Sequence, residues 1–156
     1  MKILVTGGGG FLGRAIVTQL LARGDAVRVL ARGAYPELAA QGVELHRGDV
    51  QDAATVRTAV AGCDAVIHTA AVAGIWGPWS YFHGINTVGT ENVLAACSVE
   101  RIPQLVYTSS PSVVFDAADQ AGIDESTPYP TRWLAHYPHT KALAEQAVLV
   151  ANGRDG

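Results

Sequence analysis

The sequence is poor in cysteine, in charged residues and in long apolar runs. It holds only two cysteines, Cys63 and Cys97, which are too few for the disulfide framework of a small secreted domain. Charged residues make up 16% of the chain and the net charge is −3, so nothing favours a nucleic-acid partner. No apolar run approaches the length of a membrane span. We therefore expect a cytoplasmic protein in a reducing compartment.

Hydrophobic residues make up 49% of the 156 residues, which is enough for one globular domain with a core. Short apolar segments alternate with segments of helical spacing, a pattern typical of a parallel sheet covered by helices on both faces. The predicted strands are 3–6, 26–31, 43–46, 65–69 and 104–109, and the predicted helices are 11–23, 52–61, 82–98 and 136–151. We predict an α/β fold, a doubly wound parallel sheet of the Rossmann type, with ligands at the carboxyl ends of the strands.

A glycine-rich loop, TGGGGFLG at 6–13, follows the first predicted strand. Gly7 permits a tight turn, Gly10 lets the backbone approach a pyrophosphate, and Gly13 lets the following helix pack closely on the strand. The free N–H groups and the positive end of that helix would then face the phosphates. Because a strand and an amphipathic helix flank the loop, we predict a nicotinamide dinucleotide site. The alternative is a glycine-rich turn that binds no ligand.

The end of the second predicted strand distinguishes between the two nicotinamide cofactors. A carboxylate there would bind the ribose hydroxyls of NAD, but this position holds Ala31, and Arg32 follows. Since a guanidinium can pair with a 2′-phosphate, we predict that NADP(H) is preferred, with NAD(H) as the alternative. Asp49, after the third strand, can accept a hydrogen bond from the adenine amino group, with Val50 against the ring. It can equally serve as a helix N-terminal carboxylate.

Tyr137 and Lys141 lie four residues apart at the start of the last predicted helix, so their side chains share one face. A neighbouring cation lowers the pKa of a phenol, which makes Tyr137 a candidate acid–base group for a carbonyl oxygen. Lys141 can also reach the nicotinamide ribose. A third member should be a hydroxyl at the end of the fifth strand. The candidates are Thr108, Ser109, Ser110 and Ser112, and turn or cap roles are the alternative for each of them.

Together these motifs resemble the extended short-chain dehydrogenase/reductase family, which includes sugar-nucleotide epimerases and dehydratases and the 3β-hydroxysteroid dehydrogenases. The resemblance covers residues 2–151 and rests on TGGGGFLG (6–13), GDV (48–50), HTAA (68–71), NTVGTENV (86–93), YTSSPSVVF (107–115) and YPHTK (137–141). HTAAVAGIWG and SSPSVVF are more similar to the steroid-dehydrogenase branch. ARGAYPEL (31–38) and AVAGIWG (71–77) resemble the bacterial 2-alkyl-3-oxoalkanoate reductases of olefin biosynthesis.

The resemblance implies a role for each matching residue. Ser110 would be the catalytic serine, Tyr137 the acid–base group and Lys141 its partner, while Asn86 lies in a helix that supports the active site. The cofactor contacts would be Gly7, Gly10, Phe11, Leu12, Gly13, Arg32, Asp49, Val50, Thr69, Ala70, Ala71, Tyr137 and Lys141. No metal is implied. The helices 82–98 and 136–151 would form a homodimer interface, with core burial as the alternative.

The implied activity is reversible hydride transfer between NADPH and an apolar ketone or secondary alcohol of the 3-oxoacid or 3β-hydroxysteroid type. The alternatives are an NAD-dependent nucleotide-sugar epimerase or dehydratase, and a non-catalytic NADP-binding regulatory protein. In this family the chain continues into a further strand and a small C-terminal substrate domain. We therefore expect residues 1–156 to be an incomplete NAD(P)-binding Rossmann domain.

The remaining candidates for a functional role are the aromatic side chains and the histidines. Trp76, Trp79, Tyr81, Phe82 and Trp133 are predicted to wall an apolar substrate channel; packing against a C-terminal domain is the alternative. The histidines show no metal-ligand spacing. We expect His68 to be a hydrogen-bonded core histidine and His139 to point away from the face that Tyr137 and Lys141 share.

Overall fold

A computed structural model describes residues 1–153, in which five parallel strands form one sheet of order β3-β2-β1-β4-β5. The strands are β1 (Lys2–Thr6), β2 (Ala26–Ala31), β3 (Glu44–Arg47), β4 (Ala65–His68) and β5 (Leu105–Tyr107). The α-helices are α1 (Phe11–Ala22), α2 (Pro36–Ala39), α3 (Ala53–Val60), α4 (Trp79–Phe82), α5 (Gly89–Glu100) and α6 (His136–Ala151). The strand order reverses at β1, as in a doubly wound fold, which confirms the predicted Rossmann-type architecture.

The two faces of the sheet are covered by separate apolar clusters, because alternate residues of each strand point to opposite sides. Leu4 and Val66 pack on one side with residues of α3 and α5. Val5 and Val29 pack on the other side with Val17 of α1. Burying both faces accounts for the nearly unbroken apolar strands, and each fully buried Val or Leu contributes roughly 1.5–3 kcal/mol.

The predicted helix 82–98 differs most from the structure. The helical segment begins earlier, at Trp79, and contains a π-helical stretch, His83–Val88, before α5. In this stretch the Asn86 carbonyl accepts a hydrogen bond from Thr90 Oγ1 at 2.7 Å, and the Asn86 side chain bonds to Val72 and Thr140. Polar side chains that bond to backbone groups interrupt the regular helical ladder, which explains a break that hydrophobic spacing does not reveal.

Other boundaries differ for local reasons. The strand predicted at 104–109 pairs with β4 only over Leu105–Tyr107, because the chain then turns into a 3₁₀ helix, Pro111–Val114, which Ser110 caps. That helix lies between the predicted strand 104–109 and the predicted helix 136–151, where no element was predicted. Helix α2 was not predicted, since four residues beginning with Pro36 are too few to show a helical period. No helix within residues 1–153 is both long and apolar enough to span a membrane.

Candidate active site

The glycine loop lies at the carboxyl end of β1, and a Cβ atom would be accommodated differently at each of its three key glycines. Gly7 has a φ of +71°, and a Cβ there would lie 2.9 Å from the backbone nitrogen of Ala70. A Cβ on Gly13 would lie 2.3 Å from the Gly7 carbonyl oxygen, so α1 packs directly beneath the loop. A Cβ on Gly10 would approach only that same oxygen, at 3.3 Å. Gly10 is therefore crowded by this one oxygen alone, and its other sides are free of close neighbours.

The amino end of α1 is free of side-chain caps. Gly10 is the N-cap residue, no side chain caps the helix, and its first turn holds no acidic residue. First-turn N–H groups have no partner within a helix, and the helix dipole adds positive potential there. This combination suits the phosphates of a dinucleotide.

A cleft of about 210 Å³ opens beside this loop at the carboxyl edge of the sheet. Its lining comprises Gly7, Gly9, Gly10, Leu30, Ala31, Arg32, Tyr35, Gly48, Asp49, Val50, Thr69, Ala70, Ala71 and Ile85. The structure thus brings together most of the residues predicted to contact a cofactor. Five predicted cofactor contacts lie outside this lining. Phe11, Leu12 and Gly13 begin α1, and Phe11 is 97% exposed. Tyr137 and Lys141 lie in α6.

Tyr35 is a wall of the cleft that sequence reasoning missed. A Cβ on Gly9 would lie 2.0 Å from the Tyr35 ring, so the ring rests on the glycine loop. Arg14 lies on the same ring, 5.4 Å from its centroid, and its Nε donates to the Gly9 carbonyl at 2.9 Å. The only signal for this contact in the sequence was an aromatic residue three positions after Arg32.

Arg32 lies at the end of β2 with an exposed side chain, 4.0 Å from Asp49 Oδ2. An exposed ion pair of this length contributes little, so the guanidinium can bind another anion. Asp49 Oδ1 accepts a hydrogen bond from the Gln51 N–H at 3.0 Å. Asp52, rather than Asp49, is the N-cap residue of α3 and accepts from the Ala54 and Thr55 N–H groups.

Lys141 is almost completely buried, with 3% of its surface exposed. Its Nζ donates to the Thr108 carbonyl at 2.6 Å and lies 4.1 Å from the centroid of the Tyr107 ring. Burial lowers the pKa of Lys141 to about 8, while the Glu145 carboxylate acts in the opposite direction. The ammonium group is therefore held against the strand end from which Ser110 follows.

Ser110 and Tyr137 are both half-buried in this region. The Ser110 hydroxyl lies 2.8 Å from the Ser112 hydroxyl and accepts a hydrogen bond from the Ser112 N–H at 3.3 Å. Within residues 1–153, the described hydrogen bonds do not join Ser110, Tyr137 and Lys141 to one another. Ser110 follows β5 and caps the 3₁₀ helix Pro111–Val114, and this helix packs on α6, which carries Tyr137 and Lys141.

His68 closes β4 and is fully satisfied within the core. Its ring nitrogens lie 2.6 Å from Thr6 Oγ1 and 2.9 Å from Thr90 Oγ1. Burial, with a smaller contribution from Lys141, lowers the pKa of His68 to about 3. The expectation of a hydrogen-bonded core histidine is confirmed.

A second cavity, of about 410 Å³, lies beside the start of α6. It is lined by Trp79, Trp133, Leu134, Ala135, His136 and His139. His139 stacks on Trp133 with a centroid distance of 5.0 Å and an interplanar angle of 3°. The predicted aromatic wall is therefore divided: Phe82 is a core residue with 1% exposure, whereas Trp76 is 90% exposed and lies outside this lining.

A parallel sheet of this order, with a glycine loop and an uncapped helix at its switch point, defines a Rossmann-type dinucleotide-binding domain. The fold is similar to that of a short-chain dehydrogenase/reductase superfamily protein from Agrobacterium tumefaciens, whose crystal structure contains bound NAD. The two chains are 28% identical in sequence, and their structures superpose with a TM-score of 0.86. The match covers 99% of this chain and 46% of that chain.

Residues 4–156 match the 3-beta hydroxysteroid dehydrogenase/isomerase family, and the chain belongs to this family. It is 49% identical to a 2-alkyl-3-oxoalkanoate reductase from Shewanella oneidensis and 51% identical to one from Stenotrophomonas maltophilia. These matches cover 95% and 97% of this chain but only 38% and 47% of the two relatives. The chain thus spans less than half the length of these curated relatives.

Proposed function

We propose that the protein is an NADP(H)-dependent oxidoreductase that interconverts an apolar ketone and its secondary alcohol. One observation carries the proposal: the cleft at the glycine loop continues to Arg32, where the strand end carries no carboxylate. Gly10 and the uncapped start of α1 would hold the pyrophosphate. Ala31 leaves room beside the adenosine ribose, and Arg32 would pair with its 2′-phosphate.

We assign the chemistry to Ser110, Tyr137 and Lys141. Ser110 would hold the carbonyl oxygen of the substrate, and Tyr137 would give that oxygen a proton. Lys141 carries a positive charge below its pKa of about 8, and it lies one helical turn after Tyr137 on α6. The bound nicotinamide supplies the hydride. Since Lys141 donates a hydrogen bond to the Thr108 carbonyl, its ammonium is fixed at the end of β5, two residues before Ser110, rather than free in solvent.

For the substrate we propose an apolar 3-oxoacid. The names of the two bacterial relatives describe reductases of 2-alkyl-3-oxoalkanoates. The cavity between Trp79 and Trp133 offers an apolar surface beside His136, which directly precedes Tyr137. Replacing Trp79 with Ala should raise the KM for a long-chain 3-oxoacid more than the KM for a short one. An equal change in the KM values of the long and the short 3-oxoacid in Trp79→Ala, or no change in either, would contradict this substrate class.

We also propose a cytoplasmic homodimer that associates through helices 82–98 and 136–151. Two free buried thiols, Cys63 and Cys97, support a reducing compartment. Val99 near the end of α5 and Leu149 near the end of α6 are more than half exposed, which supports a partner on these helices. Sedimentation of a monomer at micromolar concentration would contradict the dimer.

The cofactor assignment is tested by titrating the chain with NADPH and, separately, with NADH while nicotinamide fluorescence is followed. We expect NADPH to bind more tightly. Tighter binding of NADH would overturn the NADP preference, and turnover without net consumption of NAD would favour an epimerase. Tight NADPH binding by a protein that reduces no ketone would favour a regulatory role instead.

A further inference from the structure

Glu145 lies on α6, one helical turn after Lys141, and both of its carboxylate oxygens are used. Oε1 accepts a hydrogen bond from the Tyr129 hydroxyl at 2.6 Å, and Oε2 accepts a short hydrogen bond from the Ser109 hydroxyl. The two donors come from different parts of the chain. Ser109 follows β5, whereas Tyr129 belongs to the long connection between the 3₁₀ helix and α6.

These contacts and those of Lys141 form one continuous set. Lys141 holds the backbone of Thr108, and Glu145 holds the side chain of the next residue, Ser109. Two side chains one turn apart on α6 thus hold two consecutive residues of the strand end. Ser110 is the next residue along the chain, so its position relative to α6 is fixed by both contacts.

The site requires an acceptor with two oxygens. The pKa of Tyr129 is raised to about 12, first by its burial and then by its hydrogen bond to Glu145, so Tyr129 is a neutral donor at every physiological pH. Ser109 is also a donor. A carboxylate accepts from both, whereas a glutamine amide offers one acceptor oxygen and turns an N–H₂ group toward the other hydroxyl.

We propose that Glu145 is a positioning residue for the reaction. It sets the spacing between Ser110 and the Tyr137–Lys141 pair by clamping the β5 end and the Tyr129 segment to α6. The inference rests on the proposed function, because it assigns a task to the serine, tyrosine and lysine named there. Its carboxylate also adds negative charge one turn from Lys141 and opposes the loss of that positive charge on burial.

The test compares the Glu145→Gln variant with the wild-type protein. We expect kcat to fall about tenfold, since small displacements of catalytic groups reduce rates steeply, while the KM for NADPH changes less than twofold.

The pH dependence of kcat gives a second readout. Removing the negative charge of Glu145 lowers the pKa of Lys141, so the alkaline limb of the kcat profile should move to lower pH. Tyr129→Phe, which keeps the charge, should lower kcat without moving that limb. The exposed Glu91 provides the matched control, Glu91→Gln.

Hydrogen–deuterium exchange gives a readout that does not depend on activity. Glu145→Gln should speed exchange of amides in 109–115 and 125–130 by about tenfold and leave the amides of β1 unchanged. Unchanged exchange in these segments would overturn the clamp whether or not the enzyme turns over. Wild-type protein that reduces no ketone would overturn the proposed function, whereas active wild type with an equally active Glu145→Gln variant would overturn the positioning role. If that variant fails to fold, full activity of both Tyr129→Phe and Ser109→Ala would do the same.

Discussion

Asn86 hydrogen-bonds both backbone groups of Val72: its Oδ1 accepts from the Val72 N–H at 2.8 Å, and its Nδ2 donates to the Val72 carbonyl at 3.0 Å. The same Nδ2 donates to Thr140 Oγ1 at 3.1 Å. Val72 follows the cleft residues Ala70 and Ala71, while Thr140 lies in α6 directly before Lys141. One buried amide therefore joins the cofactor side of the site to the catalytic helix.

Replacing Asn86 with Ala should destabilise the protein by about 2–4 kcal/mol, because the buried Asn86 side chain loses two hydrogen bonds to the Val72 backbone and one to Thr140. Asn92→Ala is a matched control, since Asn92 makes one described bond, from Nδ2 to the Val50 carbonyl, and its loss should cost about 1 kcal/mol. Urea unfolding of both variants measures the difference. Equal losses of stability in the two variants would show that Asn86 contributes no more than a single hydrogen-bonded amide does.

The glycine loop allows folding and cofactor binding to be separated. A Cβ at position 13 would lie 2.3 Å from a backbone oxygen, so Gly13→Ala should cost at least about 1–3 kcal/mol of stability through overpacking. Gly10→Ala would bring a Cβ to 3.3 Å from the same oxygen, a much milder approach, and should cost less than about 1 kcal/mol. Its methyl group would nevertheless occupy the surface proposed for the pyrophosphate. We expect Gly10→Ala to weaken NADPH binding at least about tenfold in fluorescence titrations; retained affinity would argue against a pyrophosphate at Gly10.

The features that the sequence predicts well are those set by residues close together in the chain. The bounds of α6 and the context of the glycine loop follow from hydrophobic spacing and from residues close together in the chain. The contacts of Asn86, Glu145 and Tyr35 join residues far apart in sequence or depend on how one ring settles on a loop. The π-helical stretch was missed for the same reason, since tertiary hydrogen bonds rather than residue periodicity set its geometry.

Arg32 should control cofactor choice. Arg32→Ala removes a charge-assisted contact with a 2′-phosphate, so the dissociation constant of NADPH should rise about tenfold or more, while that of NADH stays within about twofold. Arg47→Ala is the control: Arg47 is an exposed neighbour whose Nε donates to the Arg32 carbonyl at 3.1 Å. An equal loss of affinity for NADPH and NADH in Arg32→Ala would mean that Arg32 does not bind the 2′-phosphate of NADPH.

His68 should make stability depend on acidity. Its pKa in the folded protein is about 3 against 6.5 for the free side chain, so between these values the unfolded chain binds more protons than the folded one. The free energy of unfolding therefore falls as pH drops from 6.5 toward 3, by up to about 1.4 kcal/mol per unit from this residue. His68→Asn should show a shallower decline than wild type when urea unfolding is measured between pH 6.5 and 4.5. Parallel curves would place the acid sensitivity elsewhere.

Tyr137→Phe provides the sharpest test of the proposed chemistry. Phenylalanine keeps the ring and its packing but removes the hydroxyl that would protonate the carbonyl oxygen, so kcat should fall by at least about 10²–10⁴-fold, with the dissociation constant of NADPH changed less than about twofold. Tyr81→Phe makes the same chemical change at a partly exposed tyrosine outside the cavity beside α6, and it should retain wild-type turnover. Full activity in Tyr137→Phe would refute the acid–base assignment. Loss of both turnover and NADPH binding would instead mean that Tyr137 is needed chiefly to build the cofactor site.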